Sequence, residues 1–228
     1  MPRTRSKFRE SNLLAFAGGP TEVAFFEFVR PSSPENAKGR RIITIPPGST
    51  WSTGLHWHEE YTESVRVLKG RACITIDGSS RDYTAEDGVV TFPRLTIHGF
   101  GRADSGRDSG DLQDVVLEEW VDPEDGFKLV FFYNILGALQ ECQGKPSLGD
   151  LLQLGTTLAY IDEYPVIPLS MPFFLRRICT HVALAAIYIT GRLSGYKPWV
   201  KEYTPMDLWD IAQEVGKKTR PTIGILWK

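Results

Sequence analysis

Gly54-Leu55-His56-Trp57-His58-Glu59-Glu60-Tyr61-Thr62-Glu63 decides the reading of this chain, together with Gly70 after a further six residues and a third histidine in Phe92-Pro93-Arg94-Leu95-Thr96-Ile97-His98. Side chains alternate along a strand with a period of two, so His56 and His58 face the same way and can aim at one metal ion. Neutral imidazoles joined by a carboxylate suit a borderline divalent metal such as iron, manganese, zinc, nickel or copper. A lone His-x-His pair is common on exposed strands. The metal reading therefore rests on Glu63, Gly70 and His98 recurring at fixed distances from it. Glu59 and Glu60 are the alternative carboxylates if the strand register differs.

The flanking sequence is rich in short strands. Val23–Val29 is aromatic and β-branched, Arg41–Ile45 stops at Pro46-Pro47-Gly48, and Trp51–His58 carries the first two histidines. Pro31–Asn36 is loop chemistry. Glu63–Leu68 turns at Lys69-Gly70, and Ala72–Ile76 meets the favoured hairpin dipeptide Asp77-Gly78. A further strand begins at Tyr83, Val89–Phe92 leads to the Pro93 corner, Thr96–Phe100 carries His98, and Leu112–Val121 returns beyond a Gly/Asp/Ser loop. Many short strands punctuated by turns imply a sandwich or barrel, whose interior is a walled pocket for one small ligand. Val65 and Val67 share parity with Glu63 and are expected to face that pocket, which favours an apolar substrate. Trp57 points the other way, into the wall.

The pattern His-x-His-x4-Glu-x6-Gly at His56, His58, Glu63 and Gly70 resembles the first signature motif of the cupins, and Gly88 through Pro93 to His98 resembles the second. The resemblance implies a mainly β fold: a cupin-type antiparallel β-barrel, the double-stranded β-helix or jelly roll. It also implies one divalent metal per chain on His56, His58, Glu63 and His98, with Fe(II) the first expectation and Mn, Cu, Ni or Zn the others. A homodimer is expected on the same ground. The second motif departs from the pattern: the gap from Gly88 to Pro93 is one residue short, Leu95 stands where glycine is common, and Arg102 where asparagine is common. Tyr61 and Arg102 are the candidates for orienting an anionic substrate at the barrel mouth, against a reading of both as surface or structural side chains.

Beyond Asp122-Pro123-Glu124-Asp125-Gly126 the period becomes helical. Phe127–Gln140 has apolar residues at spacings of three and four, Ser147 caps Leu148–Ile161, and Phe173–Leu193 is a third helix. The expected organisation is a flexible basic tail over residues 1–20, a barrel over 21–121 and an α-helical C-terminal extension over 122–228. The nearly uncharged run Ile178–Thr190 is shorter than the roughly 20 residues a membrane span needs. Residues 173–193 either pack on the barrel or a second subunit, or make peripheral membrane contact with Arg176, Arg177 and Arg192 at the headgroups. His181, inside this run, is expected to be a buried, hydrogen-bonded histidine. The extension resembles that of some microbial cupins through Asp122–Gly126, Phe131-Phe132-Tyr133-Asn134, Gly195-Tyr196-Lys197 and Glu202-Tyr203. Several such proteins are thought to be oxidoreductases or tailoring enzymes of fungal polyketide clusters, including clusters making salicylaldehyde-type products. That resemblance implies an oxidoreductase of secondary metabolism acting on a small apolar or aromatic metabolite.

Composition excludes other classes. Lys and Arg number 26 against 28 Asp and Glu, so charge gives no reason to expect nucleic acid binding. Arg3, Arg5, Lys7 and Arg9 read as a basic tail, without the apolar core of a secretory signal. Cys73, Cys142 and Cys179 are odd in number and widely spaced, which argues for packing roles and a reducing, cytoplasmic setting, with membrane association left to residues 173–193. Four protein ligands leave about two open positions on a six-coordinate metal. A redox-active metal then implies oxidation of a small metabolite. The same scaffold without redox would act as a lyase, isomerase, cyclase or decarboxylase, or bind a ligand without turnover.

Overall fold

The computed structural model describes residues 13–19, 21–29, 39–105, 113–142, 146–167 and 171–218. The basic N-terminal cluster and the Pro31–Asn36 loop lie outside them. The chain forms two compact units, one over Asn12–Asp125 and one from Gly126 onward.

The first unit is built from two antiparallel sheets. One sheet contains β1 (Leu13–Gly19), β2 (Glu22–Val29), β3 (Arg40–Ile45), β5 (Thr62–Lys69), β8 (Val89–Phe92) and β10 (Val115–Asp122), ordered β1-β2-β3-β10-β5-β8. The other orders β4 (His56–Trp57), β9 (His98–Arg102), β6 (Ala72–Ile76) and β7 (Ser79–Tyr83) as β4-β9-β6-β7. Inward positions alternate as the pleat requires. On β3, Arg41, Ile43 and Ile45 are buried while their neighbours are half-buried, and on β2 Ala24, Phe26 and Phe28 are buried. Trp51 fills the space between the sheets, meeting Phe26 of one and Phe100 of the other edge-on at 5.5 and 6.4 Å.

Three expectations are corrected here. Leu13–Gly19, assigned to the flexible tail, forms β1 and pairs with β2, because Leu14 alternates inward and is buried. The strand expected over Trp51–His58 shrinks to His56–Trp57. Tyr83 ends a strand instead of beginning one: Asp77-Gly78 folds Ala72–Ile76 onto Ser79–Tyr83 in register, so the strand lies on the N-terminal side of the tyrosine.

The second unit holds α1 (Phe127–Cys142), α2 (Leu148–Leu158), α3 (Phe173–Leu193) and α4 (Met206–Lys218). Ser147 caps α2 reciprocally: its hydroxyl accepts from the Asp150 amide, and the Asp150 carboxylate accepts from the Ser147 amide at 2.7 Å. Asn134 is buried on α1 and ties the unit together. Its amide donates to the Thr204 hydroxyl at 2.9 Å, and its oxygen accepts from the Val200 amide at 2.7 Å. The helix α4 was not anticipated from sequence. Its amphipathic pattern is short: Leu208 and Ala212 are buried, while Asp207, Asp210 and Glu214 are exposed. His181 is buried with its ring 4.7 Å from that of Tyr164, as expected of a core histidine. Cys142 is buried and donates its thiol to the Ala138 carbonyl, but Cys179 is exposed on α3 and is not a packing residue.

Candidate functional site

Pairing of β4 with β9 sets His56 directly opposite His98, so two of the imidazoles come from one sheet, with ring centroids 4.4 Å apart. Gly99 makes the approach possible, since a β-carbon there would collide with the Gly54 carbonyl. His58 follows immediately after β4, and its ring centroid lies 5.1 Å from that of His56 and 5.4 Å from that of His98. Glu63 reaches in from β5 of the facing sheet. Its two carboxylate oxygens lie 3.0 Å from His58 Nε2 and 3.4 Å from His98 Nε2. One donor atom from each of the four residues falls within 4.8 Å of every other, and all four residues are buried. The four side chains anticipated from sequence therefore meet at one point. Glu59 is half-buried and Glu60 exposed, and neither joins the cluster.

The surroundings fix how the donors point. A carbonyl oxygen can only accept, so His56 Nδ1 carries its proton toward Gly54 O at 3.2 Å and His98 Nδ1 toward Thr96 O at 3.0 Å. Each ring then presents the lone pair of Nε2 to the cluster, the arrangement that orients histidine ligands in metal sites. Phe92 lies flat on His98, with centroids 4.2 Å apart and planes 9° from parallel, which locks the ring. The turn before β9 is fastened to the site as well: the Leu95 amide donates to the His58 carbonyl at 2.6 Å. Leu95 adopts φ 68°, the left-handed conformation that explains why glycine is common at this position of the motif. Three imidazoles and one carboxylate, preoriented and dry, are a donor set suited to a single divalent metal ion.

The two pocket candidates fare differently. Tyr61 is buried with its ring 6.3 Å from that of His58, and its hydroxyl donates to Asp125 at 2.8 Å. Arg102 is a strut. Its guanidinium grips Asp104 through two bonds of 2.8 and 3.0 Å and donates to the carbonyls of Ile45 and Gln113. With those bonds made and the side chain buried, it is not placed to hold a substrate anion at the barrel mouth.

Sequence reasoning passed over a second buried polar element beside the cluster. Arg41 is fully buried on β3 and donates to Glu119 of β10 at 2.8 Å. Burial alone would lower its pKa, but the charge of Glu119, assisted by Glu63 and Glu124, outweighs this and raises it. The signal was available: an arginine on the same parity as Ile43 and Ile45 points into the core.

The cupin domain profile matches residues 41–108, a span that contains all four donors. The chain carries a cupin domain. Among curated relatives, a probable oxidoreductase of Hypocrea virens is 28% identical over 152 residues, covering 65% of this chain and 66% of that one. A probable oxidoreductase of Penicillium expansum is 30% identical over 183 residues, covering 79% of this chain and 53% of that one. The chain thus spans about half to two thirds of the length of the curated relatives it matches. Among solved structures, a predicted oxalate decarboxylase from Thermotoga maritima is 18% identical with a TM-score of 0.39, covering 51% of this cupin and 96% of that chain.

Proposed function

We propose that this cupin is a metal-dependent oxidoreductase that acts on a small apolar or aromatic, polyketide-like metabolite. The observation that carries the reading is the convergence of His56, His58, Glu63 and His98 within 4.8 Å in a buried position. The similarity to fungal proteins named as oxidoreductases supports the redox assignment. Fe(II) is the proposed metal because zinc has no redox chemistry of its own, and three imidazoles with one carboxylate suit iron. When bound, such a metal lowers the pKa of a coordinated hydroxyl and accepts or passes on electrons.

The protein's own contribution is positional. Gly54 O and Thr96 O hold the protons of His56 and His98 on the outward nitrogens, so the inward ones turn their lone pairs toward the cluster. Phe92 stacks on His98, and Val65, Val67 and Phe100 are buried on the same strand parity as Glu63 and His98; this apolar surface favours a hydrocarbon-rich substrate and excludes water. Three cysteines, odd in number and widely spaced, are in keeping with a reducing, cytoplasmic setting. Elemental analysis of protein purified without a metal-affinity tag, beside His98→Ala, tests the proposal. Iron near one per chain, lost in the variant, together with oxygen consumption on aromatic polyketide-type substrates, is the expected result. Zinc at that level without oxygen uptake would move the site to non-oxidative Lewis-acid chemistry. A metal-free protein after anaerobic reconstitution would end the metalloenzyme reading.

A further inference from the structure

We infer that α3 is a membrane-surface helix that seats this protein on an anionic lipid bilayer. One face of α3 is taken by α2. Gly155 of α2 leaves room for Ile187, Gly191 of α3 leaves room for Thr156, and Thr180, His181 and Leu184 are buried. The opposite face is exposed and apolar for the length of the helix. Leu175, Ile178, Cys179, Val182, Ala183, Ala186, Ile189 and Leu193 recur at spacings of three and four, and all are solvent-exposed. Only 17% of the apolar window of this helix is buried, so the chain's own packing does not account for its composition. Because α2 lies along the other face, the apolar stripe faces outward from a folded unit, which suits a helix lying in the interface and not one crossing it.

Charge selects the occupant. From Tyr164 to Lys201 the sequence carries Arg176, Arg177, Arg192, Lys197 and Lys201 and no Asp or Glu, within a chain of net charge −2. A second copy of this segment meeting the stripe face to face would set these cations against each other, because the segment carries no acidic groups to oppose them. Lipid phosphates supply them. At the C-terminal end of the stripe, Arg192 and Lys197 share an open hollow of about 310 Å³ with Tyr160, Trp199 and Trp209. Trp199 is buried there, while Tyr160 and Trp209 are half-buried beside the basic residues, the setting in which aromatic rings settle at the headgroup level. Two leucines of α2, Leu148 and Leu151, are exposed at 73% and 52% and add to the apolar surface of the unit.

The test is flotation of the full chain with vesicles of phosphatidylcholine alone and of phosphatidylcholine with phosphatidylserine. Wild type is expected to float with the anionic vesicles and far less with the neutral ones. The variant I178E/V182E, at two positions about half exposed, should stay folded and lose flotation. R192Q/K197Q should weaken partitioning roughly thirtyfold at low salt, from the usual worth of a basic residue near an anionic surface. If I178E/V182E proves misfolded, Leu193→Ser at 85% exposure should weaken flotation in the same direction. Equal flotation by wild type and folded I178E/V182E, or none with either vesicle, would overturn the inference. So would a dimer in light scattering that I178E/V182E dissolves, because the stripe would then be a self-interface.

Discussion

Replacing Arg41 with methionine should destabilise the barrel by about 3–5 kcal/mol, the range for breaking a buried ion pair from one side. The reason lies in what remains. Glu119 is 2% exposed and would keep its charge in a dry interior after losing a 2.8 Å bond to the guanidinium. Glu63 and Glu124 would also lose the cation whose field they share with Glu119. Methionine fills a similar volume, so little of the effect should come from a cavity. Because the chain has two units, one global midpoint would blend them, and amide hydrogen exchange on peptides from β3 and β10 isolates the barrel. A loss of this size should speed exchange there by about two to three and a half orders of magnitude, at 1.4 kcal/mol per tenfold. The double variant R41M/E119M removes both charges and should recover most of the loss. Exchange in R41M within about fivefold of wild type, a change below about 1 kcal/mol, would refute the reasoning. A double variant as unstable as the single would show packing, and not charge, to be the cause.

Gly70→Ala should destabilise the barrel by more than about 1 kcal/mol, since φ is +76° and the new β-carbon would sit 2.7 Å from the Asp114 carbonyl oxygen; urea unfolding followed at the barrel tryptophans checks it. Leu95→Gly should leave the fold intact and stabilise the turn before His98 by about 1 kcal/mol, less whatever contact the leucine makes, read as higher exchange protection of the amide at position 95 relative to its intrinsic rate. Glu118 should contribute to acid stability. Burial pushes its pKa up, but bonds from Arg40 and Arg66 outweigh this and hold it below the usual range. A depressed folded pKa gives stability that is present above the unfolded value and lost as pH falls through the folded one. Glu118→Gln should therefore flatten the acid limb of the urea midpoint against pH, by a modest amount because both arginines are partly exposed.

The donor cluster was legible because strand geometry converts spacing into direction. His56, Glu63, Gly70 and His98 each sit where a turn or a pleat fixes their orientation, so a linear pattern carried three-dimensional content. Leu95 shows the same thing in the negative: it departs from the motif in residue type, and the backbone keeps the left-handed conformation nonetheless. Arg102 was harder. Nothing in a single sequence says that Asp104, two residues on, folds back to claim its guanidinium, and a buried strut has the same letters as a substrate clamp. The helix α4 was missed because a short amphipathic pattern among charged residues is also the pattern of a solvated loop. β1 was missed because its pairing partner, β2, supplies the evidence that Leu13–Gly19 is a strand.

The sequence of helix α3 is open to two readings, and its burial pattern bears on them. A nearly uncharged run of this length is equally consistent with a core helix and with a surface one, because composition records how apolar a segment is and not what covers it. In a core helix the apolar residues would be spread around the circumference and buried. Here the buried positions include Thr180, His181 and Gly191, while isoleucine, valine and leucine dominate the exposed ones. Leu184 is buried as well, but a stripe of apolar side chains left exposed along the helix calls for a second apolar surface or a lipid one. The absence of acidic residues from Tyr164 to Lys201 weighs against self-pairing of this segment and fits a covering surface that carries negative charge, as an anionic bilayer does.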